Sequence, residues 1–136
     1  MNRCTSYLLS ALLLAASLPA LAQTDAPGDS LPGRQFPKAV LRGEMVVLAP
    51  PEITLDGKPE RLSPGARIRG TDNLLQMSGA LIGQRLLVNF TLDPAGNLLD
   101  VWVLSPAEAS RQPWPVTPQQ AATWAFNPDT QSWSRP

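Results

Sequence analysis

Along the middle of this chain apolar residues fall on alternate positions, the period of a β-strand rather than of a helix. The densest run, Leu81 to Leu104, reads as two strands joined by a tight turn at Asp93-Pro94-Ala95-Gly96. Pro94 presets the φ needed at the second turn position, and Gly96 tolerates the left-handed conformation that closes it. Two registers compete. Pairing Leu92 with Asn97 gathers Leu86, Val88, Phe90 and Leu92 on one face with Leu99, Val101 and Val103. Placing Asp93 opposite Asn97, with a bulge at Gly96, brings Trp102 and Leu104 beside Val88 and Leu86 and turns Asp100 inward. Apolar burial favours the first, and Pro94 disfavours the α region at Asp93. That register predicts Val101 and Val103 buried alongside Val88 and Phe90.

The same reading finds further strands upstream. Val40 to Ala49 contains the apolar run Met45-Val46-Val47-Leu48 and ends at Pro50-Pro51. Ile53 and Leu55 share a face, and Asp56-Gly57 supplies a hairpin turn that needs positive φ at both positions. Pro59 cannot donate to a ladder, which predicts a short return arm at a sheet edge. Ser63-Pro64-Gly65 reads as another turn, Ala66 to Arg69 as a strand, the next four residues as a turn, and Leu74 to Met77 as a strand. Gly83 reads as a bulge inside the strand that follows. Turn signals every ten residues or so predict an all-β, mostly antiparallel domain: a small rolled sheet or barrel of five to six strands with a short C-terminal helix and flexible termini. Ser105-Pro-Ala-Glu108 has the helix-start signature of N-cap Ser, Pro at N1 and Glu at N3, and Thr117-Pro-Gln-Gln120 offers a second one.

The ends read differently. Arg3, the apolar run Leu8 to Leu18 and the A-x-A site Ala20-Leu21-Ala22 predict a signal peptide over residues 1–22, shorter than a membrane span. Cys4 precedes the apolar run, where a lipidated Cys would follow it. Export to the periplasm or beyond is therefore expected, with no membrane span after cleavage. Residues 23–37 read as a flexible leader, 38–111 as the β domain, and 112–136 as a poorly ordered Pro- and Trp-rich tail in which Trp124 and Phe126 are the residues best suited to dock.

Composition narrows the chemistry. The chain has no His, its one Cys is Cys4, and its acidic and basic residues balance at 11 each. No thiol or imidazole remains after cleavage to serve as nucleophile, base or transition-metal ligand, and no cofactor is expected. No charge excess favours nucleic acid. Lys38 borders the leader and Lys58 lies in a turn, poor places for a desolvated base. Asp93, Asn97 and Asp100 match no calcium-loop spacing. A carboxylate pair drawn from Glu44, Glu52, Asp56, Glu60, Asp72 and Asp100 is the one enzymatic route the composition leaves, with glycans as substrate. The reading leans away from an enzyme.

Two features point to binding. Arg67 and Arg69 flank Ile68 on one strand face and, with Arg61 and Arg85, form a candidate face for an anionic ligand. Trp114, Trp124 and Trp133 in the tail form a candidate partner-binding set.

The pattern Leu41-Arg-Gly-Glu44, Ala49-Pro-Pro51, Asp56-Gly57, Arg61-Leu-Ser-Pro-Gly-Ala-Arg-Ile-Arg69, Ser78-Gly79 and Val101-Trp-Val-Leu104 resembles a family of small exported proteins of Gram-negative bacteria with no assigned activity. Val88 to Val103 is also similar to the strand pair of TonB-type C-terminal domains. The first resemblance implies export. The second implies coupling between envelope proteins by strand addition. The expectation is a non-catalytic binding or assembly-accessory module of the cell envelope, its partner an envelope protein or glycan. A glycan-directed carboxylate-pair enzyme and coupling by strand addition are the alternatives.

Overall fold

The computed structural model describes residues 33–136; the expected signal peptide and most of the leader lie outside the described residues. The chain runs β1 (Leu41–Ala49), β2 (Glu52–Leu55), β3 (Lys58–Arg69), β4 (Leu75–Gln76), a 3-10 turn (Ser78–Leu81), β5 (Arg85–Leu92), β6 (Leu98–Val103), α1 (Pro106–Ala109), α2 (Pro118–Thr123), β7 (Ala125–Asn127) and β8 (Ser132–Ser134). The first six strands form one sheet in the order β2-β1-β5-β6-β3-β4. Because β2 also pairs with β3, the sheet rolls into a closed ring with β4 as a flap on β3. All pairings in it are antiparallel except β3 with β6. The expected small, mostly antiparallel rolled sheet is what forms.

Local chemistry explains the corners. Asp56 and Gly57 both take positive φ, 51° and 78°, closing a two-residue hairpin between Leu55 and Lys58. The predicted turn at Ser63-Pro64-Gly65 is not one. Those residues lie within the single twelve-residue strand β3. Five residues from Leu62 to Arg67 advance there against two from Leu98 to Asp100, so β3 bulges instead of reversing. Pro64 has no N–H to lose from a ladder, which makes a bulge a low-cost place for it. Gly83 also differs from expectation: at φ 78° it sits in the turn before β5 rather than inside the strand.

The β5–β6 hairpin takes the second register at its turn and, past a bulge, a pairing two residues beyond the favoured one, so the expected Leu92–Asn97 pairing does not form. At the turn, the Asp93 N–H donates to the Asn97 carbonyl at 2.8 Å, Gly96 takes φ 87°, and Leu92 faces Leu98. Farther along, Phe90 faces Val101 and Val88 faces Val103. Leu99 and Asp100 together oppose Thr91, whose Oγ1 accepts the Asp100 N–H at 3.1 Å. Turn chemistry therefore sets the loop, and one bulge returns Val101 and Val103 to the face of Val88 and Phe90, while Leu98 rather than Leu99 is buried and Leu92 stands exposed. Val88, Phe90 and Val101 are buried and Val103 is partly buried beside them.

The ring encloses Leu41, Met45, Val47, Ile53, Leu62, Ile68, Val88, Phe90, Leu98 and Val101. A second core lies on the outside of β1, β5 and β6, made of Phe36, Val40, Leu104, Trp114 and Trp133, with Trp102, Trp124 and Phe126 packed against it. This corrects two expectations. Residues 33–37 are not a loose leader where they are described, since Phe36 is buried between Trp102 and Trp114. Nor is the tail poorly ordered: it forms α2 and the β7–β8 hairpin and contributes Trp114 and Trp133 to the core. Low aliphatic content misled, because a few indoles bury as much apolar surface as many aliphatics.

Candidate binding cleft

Among the described residues a wide concavity opens along the side of β3. Its first residues pair with β2 and its last two with β4, leaving residues 63–67 without a strand partner on that side among the described residues. The loop at Pro50 and Pro51 forms one wall, tied down where the Leu62 N–H donates to the Pro51 carbonyl at 2.9 Å. The other wall is residues 76–78. The cleft measures about 780 Å³. Leu62, Pro64, Ala66 and Ile68 floor it, and Arg61, Gln76 and Asn97 supply polar rims.

Arg61 is the one charged side chain lining it. Residues 74–84 carry no charged side chain, and from them Leu74, Leu75, Met77 and Ile82 stand exposed, Met77 at 80%. Scattered exposed aliphatics are ordinary; Met77 differs in standing on the wall of a cleft, where exposed apolar surface marks an interaction site.

The four arginines of the expected anionic-ligand face do not form one cluster. Arg61 turns to Glu52 at 3.4 Å and Arg85 to Glu44 at 3.5 Å. Arg67 and Arg69 do meet, because they lie two apart on β3 and the β6 bulge turns Asp100 to the same side. Arg67 Nη2 lies 2.9 Å and Arg69 Nη1 3.6 Å from the same oxygen, Asp100 Oδ1. Three further carboxylates are engaged locally: Asp56 accepts the Glu44 N–H, Asp72 that of Leu74, and Asp93 those of Ala95 and Asn97. The Asn97 N–H holds the Asp93 carboxyl below its usual range.

Comparison with protein-family models, curated proteins and solved structures finds no match. The chemistry of the chain must carry the functional reading.

Among the tail tryptophans, Trp114 and Trp133 are buried and Trp124 is partly covered. Two of the three expected partner-binding side chains are therefore spent on the core. Trp114 donates its Nε1–H to the Val40 carbonyl at 3.1 Å and meets Trp133 edge-on at 6.2 Å.

Sequence reasoning missed the residues that fasten this second core. Arg42 is buried, donating to Asn89 Oδ1 at 3.0 Å, to the Arg111 carbonyl at 2.7 Å and to the Glu108 carbonyl at 3.2 Å. Burial holds its pKa down to about 10, with the Arg111 charge acting the same way and Glu108 opposing. Arg34 forks onto both Glu108 carboxylate oxygens, at 2.9 and 2.7 Å, and also donates to the Gly70 and Val103 carbonyls. Burial pushes the Glu108 carboxyl up, but Arg34 and the Ser105 N–H outweigh it, and the net shift is down. One signal was legible: the Ser105–Glu108 capping box, which forms as expected. A second was overlooked. Arg42 stands at an outward position of an apolar strand, and an arginine there must find acceptors once that face is covered.

Proposed function

We propose that the mature chain is an exported, non-catalytic binding module of the cell envelope that takes an extended apolar segment of an envelope protein into the cleft beside β3. The observation that carries this reading is an aliphatic, proline-walled cleft with the exposed Met77 side chain on its wall. An aliphatic floor whose one lining charge, Arg61, is paired with Glu52 favours an apolar peptide over nucleic acid, which needs cationic and aromatic surface, and over sugars, which favour aromatic platforms. The signal features Leu8 to Leu18 and Ala20-Leu21-Ala22 support export. Among the described residues no helix is long and apolar enough to cross a membrane.

Fold-level analogy supports the position of the cleft. Five-stranded Greek-key sheets of the oligonucleotide- and oligosaccharide-binding type take ligands across their second and third strands and the loops after the first and before the last. In this ring the matching loops, Pro50 with Pro51 and the turn ending at Asn97, both line the cleft.

The strand-addition reading has its own foothold. The two-residue strand β4 pairs with β3 on one edge and ends the sheet on the other. Both readings place the partner on the same side of β3.

An affinity pull-down from native envelope, comparing the mature protein with a Leu75→Glu/Met77→Glu variant, tests the proposal. A partner captured by the first and lost from the second, with the variant still folded, supports it. Equal recovery by both places binding elsewhere and overturns it.

A further inference from the structure

A second concavity, of about 480 Å³ and sharing no residue with the cleft, lies where β3 and β6 meet the 70–73 turn; Arg67, Arg69, Asn73, Thr91, Asp100 and Trp102 line it. We propose that it binds the carboxylate of an acidic sugar.

Charge comes first. Asp100 is the one described carboxylate that meets Arg67 or Arg69, and both guanidinium groups turn to its Oδ1. Its Oδ2 accepts no hydrogen bond from the described residues. One carboxylate against two guanidinium groups leaves one positive charge uncompensated, with Arg67 Nη1 and Arg69 Nη2 still holding N–H donors. Each guanidinium thus keeps N–H donors of the kind that pair with carboxylates by charge-assisted hydrogen bonds. The two side chains remain reachable, at 56% and 25% exposed.

The walls fit the rest of such a ligand. Trp102 lies partly exposed beneath the Arg69 guanidinium, 5.9 Å from ring centre to charge, and offers apolar surface to the face of a pyranose. Asn73 and Thr91 supply an amide and a hydroxyl for ring hydroxyls. Asn73 is held at φ 64°, a left-handed conformation that non-glycine residues adopt at a cost. The turn that imposes it is fixed from behind, where Arg34 donates to the Gly70 carbonyl at 2.7 Å and Asn73 N–H to the same carbonyl at 2.9 Å. The site is therefore built before any ligand arrives.

The test is a two-dimensional amide and indole NMR titration of the mature protein with glucuronate, inorganic phosphate and glucose. Glucuronate is expected to move the Trp102 indole and Asn73 signals saturably, to weaken as salt rises, and to bind more tightly than phosphate. Glucose should leave them unmoved. Arg67→Gln/Arg69→Gln should weaken glucuronate at least about tenfold, the loss expected for removing charge-assisted hydrogen bonds. Its Trp114 and Trp133 indole signals should stay in place, which shows the fold is intact. Asp100→Asn, by removing the internal competitor, should tighten binding. No saturable shift with glucuronate, an equal response to glucose or phosphate, or an unchanged response in the double variant overturns the proposal.

Discussion

The guanidinium of Arg42 sits 4.6 Å from the ring centre of Trp114, inside the seam where the C-terminal segment covers the sheet. It joins the two cores, since Arg42 rises from β1 and fans its donors onto carbonyls at the end of α1 and just beyond it. Charge buried this way is favourable only while every donor finds an acceptor. Arg42→Lys keeps the charge but loses the fork, and is expected to lower stability by about 2 kcal/mol. Urea unfolding followed by tryptophan fluorescence measures the loss.

Glu108 predicts an acid limb. Its folded pKa is depressed below the usual 4.5, so its contribution to stability is complete above about pH 4.5 and is lost as pH falls through the folded value. Asp93 shifts in the same direction and adds to the same limb. Glu108→Gln is expected to cost about 3 kcal/mol at neutral pH, the size associated with breaking a buried ion pair. The variant should also lose less stability than the parent between pH 5 and pH 2, a window set by that depressed carboxyl. Thermal melts across that range show whether the two curves converge.

The tail is structural, so removing it should unfold more than itself. Trp133→Ala is expected to cost about 3–5 kcal/mol, as for other large aromatic truncations in a core. A chain ending at Gln112 should lose the cooperative transition seen in the full mature protein. Acrylamide quenching of the intact protein should spare Trp114 and Trp133 and reach Trp124 more readily.

The hairpin bulge is testable at its two supports. Gly96→Ala places a Cβ at φ 87°, and is expected to cost about 1–2 kcal/mol. Thr91→Val removes the acceptor of the Asp100 N–H and should cost about 1 kcal/mol. Denaturation midpoints of both variants report these values directly.

The all-β ring was legible because its signals are local. Alternation at Val88 and Phe90, the Asp56-Gly57 turn and the Ser105 cap each depend on a few adjacent residues. What was not legible depends on distant partners. The parallel β3–β6 pairing joins residues more than thirty positions apart. Arg34 looked like leader because its acceptors, Glu108, Gly70 and Val103, lie far along the chain. Trp114 and Trp133 looked presentable because nothing near them in sequence shows the Phe36 and Val40 surface they cover. Of the candidate sites, the Arg67–Arg69 pair followed from strand period alone. The cleft did not, because its walls at Pro51 and Met77 meet only through the fold.

The most direct test of the binding reading is site-specific photocross-linking in the envelope, with the photoreactive residue placed at Met77 or, as a control, at exposed Lys38. The account predicts one discrete protein adduct from position 77 that is absent from position 38 and that maps to an extended apolar segment of its partner. No adduct at 77, or the same adducts from both positions, would contradict it.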